Sequence, residues 1–253
     1  MLIAERQLKI INIIKKKGSV QVDTLAKELN VSTMTIRRDL EKLDEDGVIE
    51  RCHGGAVYKQ EITYEDKLTT NRQEKEALAA ICASFVKEGD AVYLDAGTTT
   101  FEIAKGIMNI DNITVLSNDL EIVRLLRNSN VELIICGGTV QKSTGSIHGY
   151  YAMHMLENMK FDIGFFGTAA IDEKLNVMTP TADKAFLKKQ IVGQCQQSFI
   201  VSDKSKFNRR ALAYVNSLTD YTYIVTDYEF NEEEKAILKN GETKILGTVD
   251  SFV

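Results

Sequence analysis

Val31-Ser32-Thr33-Met34-Thr35-Ile36-Arg37-Arg38-Asp39-Leu40 decides how the first part of this 253-residue chain folds. Val31 and Ser32 close a turn, and the Ser32 hydroxyl is suited to N-cap the helix that follows. Ile36, Leu40 and Leu43 recur at helical spacing, so one face of that helix is apolar. Thr33, Thr35, Arg37 and Arg38 fall near its start and off the stripe. Short hydroxyls and guanidinium groups at that end of a helix suit the DNA major groove, where they reach phosphates and base edges.

Working outward, Val22, Leu25, Ala26 and Leu29 mark a preceding helix, with Asp23 and Thr24 in its first turn and Leu29–Ser32 as the joining turn. A first helix runs from Arg6 to Lys17, with Leu8, Ile11 and Ile14 along one side, and Gly18 stops it. Lys15, Lys16 and Lys17 form a solvated helix end favoured by the dipole. Three short helices with a tight turn before the last make a helix-turn-helix. The run from Gly47 to Tyr58 places two β-type segments around Gly54-Gly55, a hairpin that would form a wing with Arg51 and His53 near its tip. The candidate DNA-binding residues are therefore Ser32, Thr33, Thr35, Arg37, Arg38, Arg51 and His53.

The length fits two modest domains, and 44 % hydrophobic residues suffice for real cores. No apolar run is long enough to span a bilayer, and no secretory segment opens the chain. Cys52, Cys82, Cys136 and Cys195 are scattered without metal-ligand or disulfide-framework spacing, so neither a metal nor a cofactor is expected. A reducing cytoplasm is the expected location. The net charge of −5 argues against a nucleic-acid binder until it is divided: residues 1–59 carry 11 Lys and Arg against 9 Asp and Glu, a surplus of 2, leaving −7 on the remainder. So small a surplus predicts modest non-specific affinity and a dependence on dimerisation for tight binding.

Residues 59–74 are polar and aperiodic and read as a linker between a domain at 1–58 and a second at 75–253. A helix is expected from Glu74 to Lys87. Beyond it, β runs at 91–94, 113–116, 131–136, 161–166, 198–201, 221–225 and 244–246 alternate with helical stretches, the pattern of an α/β domain with a largely parallel sheet. Ligands bind such sheets at the carboxyl ends of the strands. Those ends carry Gly97-Thr98-Thr99-Thr100, Ser117-Asn118-Asp119, Gly137-Gly138-Thr139 and Gly167-Thr168, a polar set with the makings of an anion pocket at a helix start. Each loop alone could be ordinary turn chemistry; the four together favour a pocket.

Residues 1–58 resemble the winged helix-turn-helix of DeoR-type bacterial sugar-catabolism regulators. The shared motifs are Gly18-Ser19-Val20, Leu25-Ala26, Val31-Ser32, Thr35-Ile36-Arg37-Arg38-Asp39-Leu40, Gly47 and His53-Gly54-Gly55-Ala56. Residues from about 75 to 235 resemble the sugar-phosphate sensor domain of the same family, related in fold to ribose-phosphate isomerases. Here the matches are Asp95-Ala96-Gly97-Thr98-Thr99, Ser117-Asn118, Gly137-Gly138, Phe161-Asp162, Gly167, Ile171-Asp172, Thr179-Pro180 and Asp203-Lys204-Ser205-Lys206-Phe207. The resemblance implies a repressor that binds double-stranded operator DNA as a homo-oligomer and is modulated by a phosphorylated sugar. By the same resemblance Gly97–Thr100 holds the phosphate, while Asp95, Asn118, Lys188 and Lys206 line the sugar end, with Asp172 and Asp183 as further contacts. Asp183 stands where the family commonly has Glu, and Lys204 where Ser is more usual. No coiled-coil heptad is visible, so the α/β domain is expected to supply the oligomer contacts. A sugar-phosphate isomerase fused to a DNA-binding domain is the alternative. Related isomerases carry Asp-Gly-Ala-Asp-Glu where this chain reads Ala169-Ala170-Ile171-Asp172-Glu173, so the first acid is lost to Ala169 and no catalytic residue is expected.

Overall fold

The computed structural model describes residues 2–17, 19–45, 48–52, 54–58 and 64–247. Gly18, Gly47 and His53, with the helix stop and wing-tip roles expected of them, lie outside the described residues, as does 59–63 of the expected linker. The chain divides into two compact units, Met1–Ile62 with Arg209–Ala211, and Thr63–Asn208 with Leu212–Val253.

The first unit contains helices α1 (Ile3–Lys17), α2 (Val22–Leu29) and α3 (Thr33–Glu45) and strands β1 (Ser19–Gln21), β2 (Ile49–Cys52) and β3 (Gly55–Tyr58). The stripes read from the sequence bury together: Ile10, Ile14, Leu25, Ile36, Leu40, Leu43 and Ile49 form one core. Leu8, expected on the inner side of α1, is instead exposed. Between α2 and α3, Asn30 adopts a left-handed conformation (φ 52°), and the next amide, Val31 N–H, donates back to the Ala26 carbonyl at 3.0 Å. That closes the tight turn in the way an asparagine C-cap permits. The wing is a three-stranded antiparallel sheet, β1-β3-β2, rather than a bare hairpin. Its third strand requires Gly55, because a Cβ there would collide with the Val20 carbonyl of β1.

The second unit begins with α4 (Tyr64–Thr69) and α5 (Arg72–Ala83), so helix occupies much of the segment read as linker. Seven strands follow in a parallel sheet: β4 (Ala91–Leu94), β5 (Thr114–Ser117), β6 (Glu132–Ile135), β9 (Phe161–Phe166), β12 (Cys195–Val201), β14 (Tyr223–Thr226) and β15 (Lys244–Gly247). Their order is β15-β14-β12-β9-β4-β5-β6. Helices α6 (Thr98–Ile107), α7 (Leu120–Leu126), α8 (Tyr150–Leu156), α9 (Ala182–Val192) and α10 (Glu232–Asn240) complete the alternation. Apolar clusters cover the sheet's two faces, as a parallel sheet requires. Two additions were not expected from the sequence. One is the hairpin β7 (Thr139–Gln141) and β8 (Ser146–His148). The other is a small antiparallel sheet of β10 (Ala170–Ile171), β11 (Asn176–Thr179) and β13 (Ala213–Ser217). Burial pushes the thiols of Cys136 and Cys195 up to about 11 and about 12, and that of Cys82 further still. Chain order reverses direction in the sheet between β4 and β9, and this switch point is where ligands bind such folds.

Candidate functional site

On α3, Ser32 Oγ accepts the Thr35 N–H at 3.1 Å and lies 2.9 Å from the Thr35 hydroxyl, so the expected N-cap forms. Thr33, Arg37 and Arg38 are exposed. Their acidic neighbours are engaged elsewhere. Asp39 is buried and held by a two-point fork from Arg6, Nε to Oδ2 at 2.5 Å and Nη2 to Oδ1 at 3.1 Å. Glu41 receives Arg51 Nη1 at 3.2 Å. Among the described residues Arg37 and Arg38 make no ion pair, so neither is neutralised on its own helix. Arg51, expected to contact DNA, ties β2 to α3 while remaining partly exposed.

The second set gathers at the β4–β9 switch point. Asp95, just past β4, is buried; its Oδ2 accepts the Gly167 N–H at 3.1 Å and an ion-pair hydrogen bond from Lys188 of α9. Lys188 Nζ also donates to the Gly167 carbonyl at 2.9 Å. Asp95, Gly167 and Lys188 thus form one knot joining β4, β9 and α9. The next loop opens α6, whose first intrahelical bond is Phe101 N–H to Gly97 O at 3.0 Å. The N–H groups of Thr98, Thr99 and Thr100 precede that bond, and no side chain caps the helix. The Thr100 hydroxyl is held between the carbonyls of Asp95 (2.5 Å) and Gly97 (2.8 Å).

The other expected contacts differ in how the protein itself engages them. Asn118 donates to the Ile147 carbonyl and accepts from the Tyr93 hydroxyl, both at 3.0 Å, so it braces β5 against β8. Asp172 closes its own turn, taking the N–H groups of Lys174 and Asn176 at 2.9 Å and the Asn176 side chain at 3.0 Å. This carboxylate braces its own hairpin. Gly137 and Gly138 are exposed beyond β6, and a Cβ on Gly138 would come within 2.6 Å of the His148 carbonyl. Asp183 is exposed in the first turn of α9, 3.6 Å from His148 Nδ1, too long for a hydrogen bond. Lys206 sits in a 3-10 turn at Lys204–Lys206 that Asp203 caps.

A model of the DeoR-like helix-turn-helix domain matches residues 6–61, and one of the DeoR C terminal sensor domain matches residues 70–228. The chain belongs to the DeoR family. One relative is an uncharacterized HTH-type transcriptional regulator FruR from Bacillus subtilis, 33 % identical over 94 % of this chain and 98 % of its own length. Another is the lactose phosphotransferase system repressor of Staphylococcus aureus, 30 % identical over 92 % and 95 %. Ribose 5-phosphate isomerase A from Methanocaldococcus jannaschii shares 16 % identity over 55 % of each chain, with a TM-score of 0.41. It resembles the chain in fold alone. This DeoR-family protein is a transcriptional regulator with a DNA-binding unit and a sensor unit, not an isomerase. Among the described residues no helix is long and apolar enough to cross a membrane.

Three features of the sensor unit escaped the sequence reading. Asp119 is fully buried; its Oδ1 caps α7 and its Oδ2 accepts the Gly97 N–H at 3.0 Å. Burial pushes its carboxyl up to about 6, against the pull of three backbone N–H bonds. Lys75 is buried and donates to the carbonyls of Lys67 (2.5 Å) and Thr70 (2.7 Å). Burial pushes its ammonium down to about 8, reinforced by nearby Lys206. Lys75 shares its face with Leu78, Ala79 and Cys82, so its place on the apolar stripe was a readable signal. Finally, His148 Nδ1 and Thr181 Oγ1 are buried without a hydrogen-bond partner among the described residues.

Proposed function

We propose that the chain represses a sugar-utilisation operon by binding double-stranded operator DNA through α3, and that a phosphorylated sugar at the β4–β9 switch point changes that binding. Arg37 and Arg38, exposed on a capped helix and without an ion pair among the described residues, carry the DNA half of this reading. Supporting the sensor half are the start of α6, which no side chain caps, beside the Asp95–Lys188–Gly167 knot, and His148 Nδ1 and Thr181 Oγ1, which lack a hydrogen-bond partner among the described residues and which sugar hydroxyls would satisfy. Gly97–Thr100 would take the phosphate, with Gly137, Gly138, Asp183 and Lys206 around the sugar. The repressor works in the cytoplasm as a homo-oligomer, because one small winged unit with a charge surplus of 2 contacts too few phosphates to bind tightly. The lactose-system repressor is named for sugar control, which agrees with this assignment.

Thermal melts of the full chain against a panel of sugar phosphates and the matching free sugars test it. A native-state ligand at a hundredfold excess over its dissociation constant adds about 2.7 kcal/mol. A shift with one phosphosugar and none with its free sugar is expected, together with altered retention of DNA. Stability and DNA affinity unmoved across the panel would sink the sensor half.

A further inference from the structure

We propose that Met34 reads DNA sequence directly, laying its thioether against the 5-methyl group of a thymine in the major groove. The proposal rests on α3 being the DNA-reading helix. Met34 is 58 % exposed, far from the buried stripe of Ile36, Leu40 and Leu43. Every other exposed residue of α3 is polar or charged: Thr33, Arg37, Arg38, Glu41, Lys42 and Glu45. Met34 is therefore a lone large apolar group on an otherwise hydrophilic face.

Its position is informative. Arg37 and Arg38 lie three and four residues further on, so the three side chains are neighbours on one surface. Helical side chains lean toward the N-terminus, which carries Met34 over the first turn. That is the end of a recognition helix that meets base edges. A thioether offers no donor and only a weak acceptor, so it cannot read a hydrogen-bonding edge. The apolar feature that the major groove displays is the thymine methyl. Met is also flexible enough to settle against it without straining the backbone. In this arrangement Arg37 and Arg38 hold the helix on phosphates and guanine edges, and Met34 distinguishes thymine from cytosine at one step of each half-site.

The test uses the full chain and duplexes that it enriches from a random pool. Each thymine is replaced singly by deoxyuridine, which deletes the methyl and leaves every hydrogen-bonding edge intact. The wild-type protein is expected to lose about fourfold in affinity at one thymine per half-site, the worth of one methyl removed from water. M34A and the length-matched M34Q should bind more weakly but be indifferent to that replacement, with thermal melts like the wild type. R37A should weaken binding yet keep the uracil response. A wild-type protein that binds thymine and uracil duplexes alike, or an M34A protein with the wild-type uracil profile, overturns the assignment and returns Met34 to a protein contact. Failure to enrich any duplex overturns the DNA-reading role of α3 along with it.

Discussion

Replacing Lys188 by Met should destabilise the sensor unit more than any comparable surface change. Lys188 and Asp95 are 7 % and 2 % exposed, so neither charge is relieved by water. Among the described residues, removing the ammonium leaves the Asp95 carboxylate with only the Gly167 N–H as a donor and strands the Gly167 carbonyl. Breaking a buried pair from one side costs about 3–5 kcal/mol. For a unit of 150–250 residues each kcal/mol moves the midpoint by about 2–4 °C, so K188M should melt about 6–20 °C lower. The double variant D95N/K188M removes both charges while keeping an acceptor for Gly167, and should recover much of the loss. Calorimetric melts of the four proteins of this cycle, without ligand, give the coupling directly. If K188M melts within 2 °C of wild type, or if the double variant is no better than K188M, the buried pair is not what fastens β4, β9 and α9.

Other outcomes follow from the same geometry. Arg6→Ala should unfold the DNA-binding unit at lower temperature, by about 3 kcal/mol, since Asp39 would be left buried and unpaired; far-UV circular dichroism reports it. Arg38→Ala should weaken binding to the enriched duplexes by about 1–3 kcal/mol if the contact is bidentate to a base, or flatten the salt dependence by about one charge if it is to phosphate; unchanged affinity and slope would exclude contact. Asp119 holds its proton in the native state up to about pH 6, whereas the unfolded chain releases it near 4. Raising the pH through that window therefore destabilises the native sensor unit, by at most about 3 kcal/mol, and Asp119→Asn should remove this slope in pH-dependent urea melts. Gly55→Ala should cost about 1–3 kcal/mol or more by forcing β3 off β1, visible as a lower melting temperature of the DNA-binding unit.

The fold was most legible where periodicity and chemistry agreed. Ser32 followed by Ile36, Leu40 and Leu43 specifies a cap and a buried stripe at once, and the long β–α alternation from Ala91 onward could hardly be anything but a parallel sheet. The missed pieces are short and polar. β1, β7 and β8 have three residues each and β10 two, too few to establish a period. No residue of α4 is fully buried, so no apolar stripe announced it. For the candidate site, sequence located the loops but not the partners. Asn118 and Asp172 have the right chemistry for ligands, but the protein groups that also engage them, the Ile147 carbonyl and Tyr93 hydroxyl for Asn118 and the hairpin amides for Asp172, were not read from the sequence. Asp119 was legible as part of a polar strand-end loop, but its bond to Gly97 was not, because that bond spans 22 positions.

Cys82 and Cys136 are buried and Cys195 is half-buried with its thiol shielded enough to be pushed up, which gives the sensor unit three internal clocks. A thiol held in apolar surroundings reacts with a maleimide only after the segment around it opens. Cys82 lies on α5, Cys136 just beyond the edge strand β6, and Cys195 at the start of β12. With Cys52 replaced by serine, pulsed alkylation followed by peptide mass analysis would time the exposure of each segment separately in one sample. Labelling of Cys136 ahead of the other two would mean that the sheet frays from its β6 edge while the centre stays closed. Simultaneous labelling of all three would mean that the sensor opens as a single cooperative block.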